Sequence, residues 1–231
     1  IMLGFSDGTK DGGYMSANWN IYRAKENLTR ISIQNEIDVL FFDGRGGPPA
    51  RGGGNTHNFY ASLGQNIASS QIQLTVQGQT ISSNFGTSQS AQFNMEQLIT
   101  AGLENSLMID EAKVLQPNER SILEQLSDIS LKHYTLLKEN QLFTEFLEEM
   151  SPLNYYGMAN IGSRPSKRGQ SEKLELDDLR AIPFVGAWSQ LKMNIPGFYG
   201  LGKALEELSE AGKLHEVQSL YKRSKFFRTL V

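Results

Sequence analysis

The chain has 231 residues, with 22 Lys or Arg against 25 Asp or Glu, a formal net charge of −3 at pH 7. That balance leaves no basic excess to hold nucleic acid. No apolar run approaches the roughly 18 residues of a membrane helix, and the absence of cysteine excludes disulfides and thiolate metal sites. Hydrophobic residues at 39% and charged residues at 20% fit a globular domain, one large or two small, of the kind found in a reducing cytoplasm. No signal peptide is visible. The apolar start, Ile1 to Phe5, and the stop at Phe226-Phe227-Arg228-Thr229-Leu230-Val231 read as a piece cut from a longer protein.

In chain order, residues 1–5 predict a short buried strand, and Ser6 to Gly13 a turn-rich stretch. From Tyr14 to about Asn35 the pattern is helical, with Ala17, Ile21, Ala24, Leu28 and Ile31 on one face. Ile37 to Phe42 predicts a second strand and Gln71 to Val76 a third, so the order strand–helix–strand suggests a parallel α/β unit. The second half reads as helices over Asn94–Leu107, Asn118–Leu137 with Asn118 as cap, and Gln141–Met150. After a loop at 151–178 come helices at 182–193, 198–210 and 213–226. Glu206, Glu207, Glu210 and Lys213 read as a solvated helix face, and His133 as structural within its helix. The strand-containing part covers about 1–90 and the mostly helical part about 91–231, and no internal repeat is present.

Between the second and third strands lies Asp43-Gly44-Arg45-Gly46-Gly47-Pro48-Pro49-Ala50-Arg51-Gly52-Gly53-Gly54. Six of the eleven residues from Gly44 to Gly54 are glycine, which predicts a loop. Glycines after a strand let backbone N–H groups converge on an anion. Guanidinium groups bind carboxylate or phosphate through paired hydrogen bonds. Arg45 and Arg51, six apart, are placed to serve one anion site; the bland alternative is a surface loop with two solvated arginines. The loop lacks the Gly-Lys-Ser/Thr ending of nucleotide-hydrolase phosphate loops.

At this loop a resemblance becomes specific. Phe42-Asp43-Gly44-Arg45-Gly46-Gly47 with Arg51-Gly52-Gly53-Gly54 and Thr56-His57 resembles the signature loop of the phosphoenolpyruvate carboxylases. Met2-Leu3-Gly4-Phe5-Ser6-Asp7 with Lys10-Asp11 resembles the family's metal and lysine motif, and Thr75-Val76-Gln77-Gly78 its strand end. Asn160 to Arg168 and Leu179-Arg180-Ala181-Ile182-Pro183 resemble two more motifs, in the family's order. One departure stands out: the family usually has histidine at the position of Asp43. An aspartate there repels anions unless it faces away or is paired with an arginine.

The resemblance implies that the parent joins bicarbonate to phosphoenolpyruvate, giving oxaloacetate and phosphate through carboxyphosphate and the enolate of pyruvate. It implies a Mg²⁺ or Mn²⁺ cofactor, with Asp7 as a metal ligand; alone, Asp7 reads as a turn residue. Lys10 is implied as a site cation, and Arg45 and Arg180 as clamps on phosphate and carboxylate. Arg51 is implied as the loop arginine needed for turnover and used by an inhibitor such as aspartate or malate. Arg164, Gln77, Gly46 and Gly47 are implied in substrate binding, and His57 is a weaker candidate. The implied fold is α/β with predominant helix, part of a TIM-type β/α barrel with many extra helices, in a cytoplasmic homo-oligomer, a tetramer, that contacts neither nucleic acid nor membrane.

A second metal-ligand glutamate and a histidine base belong upstream of this chain in the family. A lysine and an asparagine of the inhibitor site belong downstream, so the chain alone is expected to be inactive. Two other readings stay open: a non-catalytic anion-binding or regulatory module, and another phosphoenolpyruvate-using barrel enzyme. The latter usually carries a phosphorylatable histidine, and no such motif surrounds His57, His133 or His215.

Overall fold

Three short strands pair in parallel in the order β1 (Met2–Leu3), β2 (Phe41–Gly46), β3 (Ile72–Val76). Asp43 sits at the centre of this sheet, opposite Leu3 on one side and Leu74 on the other. Parallel strands require a long crossover, and α2 (Tyr14–Gln34) supplies it between β1 and β2. The strand–helix–strand unit read from the sequence is therefore present. This computed structural model describes residues 1–76, 78–107, 110, 113–158 and 174–231.

Several boundaries differ from the sequence reading. The stretch after β1 is a helix, α1 (Phe5–Gly12), ended by Gly13 at φ 77°, whose N–H donates to the Thr9 carbonyl. Burial of Phe5 and Thr9 outweighs the turn-forming composition. Strand β2 begins four residues later than Ile37, where Phe42 and Asp43 pair with both neighbours, and runs on to Gly46, which pairs with Val76 of β3 across an irregularity. The residues before it stay outside: Ile37 is 63% exposed.

Along α2 the expected face holds in part, with Ala17 buried and Ile21 and Leu28 packed against the core, but the deepest row is a different one. Trp19, Tyr22, Lys25 and Thr29 are buried, whereas Ile31 is exposed. The helix is clasped to α6 (Pro117–Lys138) by polar groups. Arg120 donates to both carboxylate oxygens of Glu26 at 2.6 and 2.7 Å, and the Trp19 indole N–H donates to Glu124 at 2.7 Å. The cap of α6 is Gln116, two residues before the expected Asn118. Pro117 occupies the first turn, and Gln116 and Glu119 exchange hydrogen bonds between side chain and backbone.

The remaining helices are α3 (Thr56–Ala61), α4 (Gln79–Phe85), α5 (Ser88–Leu107), α7 (Leu142–Met150), α8 (Leu153–Met158), α9 (Ala181–Gln190), α10 (Ile195–Phe198), α11 (Leu201–Glu210), α12 (Leu214–Arg223) and α13 (Lys225–Leu230). The helix expected over 213–226 breaks at Ser224, whose hydroxyl accepts from the Phe227 N–H and caps α13. Phe226 is thereby turned onto Tyr22, with ring centroids 4.4 Å apart.

The main core joins Phe5, Trp19, Tyr22, Phe59 and Phe226, so it spans nearly the whole chain. A second cluster joins α7, α8 and α9 through Phe143, Leu147, Phe184 and Trp188, and Ala50 of the glycine-rich loop belongs to it. No helix among the described residues is long and apolar enough to cross a membrane.

Candidate functional site

Three connections leave the carboxyl ends of the three strands and meet. After β1 comes α1 with Asp7 in its first turn, after β2 the glycine-rich loop, and after β3 Gly78 and α4. Parallel α/β sheets place ligand sites at this edge, because the helix N-termini and loops converge there.

The loop is a tight structure. Pro49–Arg51 forms one turn of 3₁₀ helix. The N–H groups of Arg51, Gly52, Gly53 and Gly54 donate to carbonyls of Pro48, Pro49, Pro48 and Gly47, and the Gly47 N–H donates to Arg45. The backbone amides expected to converge on an anion are thus used within the loop. Gly53 makes this fold possible: a Cβ there would lie 1.7 Å from the Gly47 carbonyl oxygen. At Gly52, with φ 76°, a Cβ would lie 2.7 Å from the Phe5 carbonyl oxygen, so the turn sits directly on α1.

Arg51 is half-buried beside a groove of about 520 Å³, whose other walls include Thr56, Gly78, Ser83 and Ser189. Its carbonyl accepts from the Ser6 hydroxyl at 3.2 Å. Burial pulls its guanidinium below its ordinary value, and the charge of Asp7 acts against this. Lys10 is only 8% exposed, not solvated as its sequence context alone would suggest. Its ammonium donates to the carbonyls of Leu176 at 2.9 Å and Leu179 at 3.0 Å and pairs with Asp11 at 3.1 Å. Arg180, half-buried, follows Leu179 as the N-cap of α9. The Nε atoms of Arg51 and Arg180 are buried without a hydrogen-bond partner among the described residues. Asp7 and Lys10 thus lie on α1, the turn that carries Arg51 sits on α1, and the Leu179 carbonyl just before Arg180 accepts from Lys10. Gln77 and Arg164 lie outside the described residues.

Arg45 takes a different place. It is fully buried, with its guanidinium carbon 3.8 Å from the Phe59 ring centroid. It donates to the carbonyls of Gly53 at 3.1 Å and Gly54 at 3.3 Å, so it supports the loop from beneath. Burial pulls it below its ordinary value, against Tyr14, Tyr60 and Asp43. The two loop arginines therefore do not share one surface.

Asp43 faces away from the groove. Its side chain is fully buried, paired with Lys25 at 2.5 Å, and accepts the Tyr60 hydroxyl at 2.9 Å. The partner is a lysine of α2, not an arginine. The residues that sequence reasoning missed are therefore Lys25, Phe59 and Tyr60. A signal for Lys25 exists: it continues the row Trp19, Tyr22 at a spacing of three.

For a divalent metal, Asp7 offers one exposed, hard carboxylate. Among the described residues no group of three His, Cys, Asp or Glu side chains could hold a metal ion. The described residues therefore do not make up a complete metal site.

The fold and site define a class: a helix-rich α/β unit whose glycine-rich loop carries an arginine to a groove at the carboxyl edge of a parallel sheet. The family model described as Phosphoenolpyruvate carboxylase matches residues 1–231. The chain is 38% identical to a phosphoenolpyruvate carboxylase of Corynebacterium glutamicum, covering all of this chain and 26% of that protein. It is 36% identical to one of Nocardia farcinica and 34% identical to one of Azorhizobium caulinodans, covering all of this chain and 25% of each. The chain belongs to the phosphoenolpyruvate carboxylase family, and it spans about a quarter of the length of the curated relatives it matches.

Proposed function

We propose that the parent protein carboxylates phosphoenolpyruvate with bicarbonate, and that this chain supplies the cationic part of its site. The observation that carries the reading is the meeting of Arg51, Lys10 and the Arg180 end of α9 around α1, at the strand ends. Every reacting species is anionic, so the site must hold several negative charges together, which fixed guanidinium and ammonium groups do. Arg51 and Arg180 orient phosphate and carboxylate, each with a buried Nε donor that has no partner among the described residues. Lys10 stabilises charge on the enolate oxygen or the carboxylate. Arg45 gives the loop its shape, and Gly46, Gly47, Gln77 and Arg164 complete the substrate contacts. A bound Mg²⁺ or Mn²⁺ would add charge neutralisation; Asp7 would give it one ligand, and the others would come from the rest of the parent.

The parallel strands fit a sector of a larger β/α barrel, and the same reading extends to a homo-tetramer in the cytoplasm with aspartate or malate as effector at Arg51. The test is oxaloacetate formation by the full-length parent, coupled to malate dehydrogenase. Activity that requires both bicarbonate and phosphoenolpyruvate is expected; a parent inactive under those conditions would sink the reading. The 231-residue chain alone is expected to give no oxaloacetate in the same assay. In isolation it is then an anion-binding module, the second reading, which the absence of the upstream part of the site favours for the chain by itself.

A further inference from the structure

One buried charged group takes no part in holding the anions: Asp43, with Lys25 behind it. We propose that Asp43 is a positioning residue for the arginines of the site. Its carboxylate holds Lys25 beneath the Phe59–Tyr60 segment of α3 on which Arg45 is stacked, and through Arg45 it sets the loop that carries Arg51. The inference rests on the carboxylase reading and adds a role to it.

The geometry gives three links. Lys25 is 2% exposed, and its ammonium lies 5.1, 6.0 and 5.7 Å from the ring centroids of Phe41, Phe59 and Tyr60. Ring faces attract a cation but do not neutralise it; Asp43, at 2.5 Å, is its acidic partner among the described residues. The same Asp43 oxygen accepts the Tyr60 hydroxyl, which fixes α3 against β2. Phe59 precedes Tyr60, packs edge-on to it with centroids 5.4 Å apart, and is the ring against which Arg45 lies. Arg45 then binds the carbonyls of Gly53 and Gly54, two and three residues beyond Arg51.

The charges make the links interdependent. Lys25 and Arg45 are two buried cations, and Asp43 is the carboxylate between them. Without it, two like charges face each other out of water. Arginine does not give up its proton, so Lys25 must yield, by losing its proton or by moving, and either way the Phe59–Tyr60 shelf loses the charge pair that held it. A neutral residue at position 43 is compatible with this core only if position 25 also loses its charge. Positions 25 and 43 therefore act as one unit.

The test uses the full-length parent with Asp43→Asn, Lys25→Met and the double variant. Each single change is expected to raise KM for phosphoenolpyruvate and to lower kcat/KM about 10- to 100-fold, the scale on which loss of an orienting partner acts. The double variant is expected to return to within about threefold of wild type, because neither charge is left unpaired. Unchanged KM and kcat in the single variants, or losses that add in the double, would overturn the proposal. If a single variant does not fold, the double decides: a folded, active double supports the pairing, and one that also fails to fold overturns it. An inactive wild-type parent refutes the carboxylase reading instead. Thermal melting then judges the pair: a double that melts above both singles supports it, and additive losses overturn it.

Discussion

At Arg51 a single turn of helix, seated on α1 by Gly52 and anchored through Ala50, holds a guanidinium at the rim of a groove. Replacing it by lysine keeps the charge and removes the planar fork. In the parent, Arg51→Ala is expected to lower kcat/KM for phosphoenolpyruvate by about 100-fold or more. Arg51→Lys should recover only a small part of that loss, and steady-state kinetics on both variants measure it. At Gly53 the limit is space. Gly53→Ala puts a methyl carbon into the Gly47 carbonyl and should destabilise the loop by about 1–3 kcal/mol. Faster proteolytic cleavage between residues 47 and 54 would report it. The tight run from Gly47 to Gly54 was legible in the sequence as a loop from its glycines. Lys25 was legible only in part: it continues the row of Trp19 and Tyr22, but a lysine within a helix reads as solvated until the buried aspartate opposite it is known.

Between elements, polar clasps matter as much as apolar stripes. His133 of α6 donates through Nε2 to Glu207 of α11 at 2.6 Å, and this hydrogen bond holds the Glu207 carboxyl below its ordinary value of 4.5. Because the folded-state pKa is the lower one, the stabilisation is present above about pH 4.5 and is lost as pH falls through the folded value. The melting-temperature difference between wild type and Glu207→Gln should therefore be small at neutral pH, as expected of a partly exposed pair, and should close in acid once pH has fallen below the folded value. Glu207 read as part of a solvated face, and its partner was invisible because α6 and α11 are far apart in sequence. The shifted start of β2 has a similar cause. The aliphatic run at Ile37 to Leu40 looks more like a strand than Phe41 to Gly46. Yet extended backbone is set by pairing with β1 and β3, which sequence pattern does not report.

Across the whole molecule, apolar side chains stay outside in an ordered way. Met95, Ile99, Leu103 and Leu107 recur every four residues along α5, and all are more than half exposed. Ile1 and Met2 lie exposed at the β1 edge of the sheet. Such surface is unusual on a monomer, and an open strand edge invites pairing. The isolated chain is expected to self-associate, and Ile99→Glu with Leu103→Glu should shift it toward monomer in multi-angle light scattering. A wild-type chain that stays monomeric at all concentrations would contradict this. The α/β class and the parallel unit were legible in the sequence from the order of its strands and helix. That Phe226 closes the core beside Trp19 was not, because periodicity carries no information about which distant aromatic meets which.

The anchoring of Lys10 has a consequence for how the site comes into being. Its two carbonyl partners lie 166 and 169 residues away along the chain, while the contact between Ser6 and Arg51 closes only 45. Loop-closure entropy rises with the logarithm of length, so the longer closure costs about 1 kcal/mol more. During synthesis α1, β2 and the arginine turn emerge first and can dock on one another. The carbonyls that immobilise the ammonium emerge more than a hundred residues later. The cationic cluster is therefore completed late in folding, when α9 arrives, and refolding followed at Lys10 should lag refolding followed at the loop.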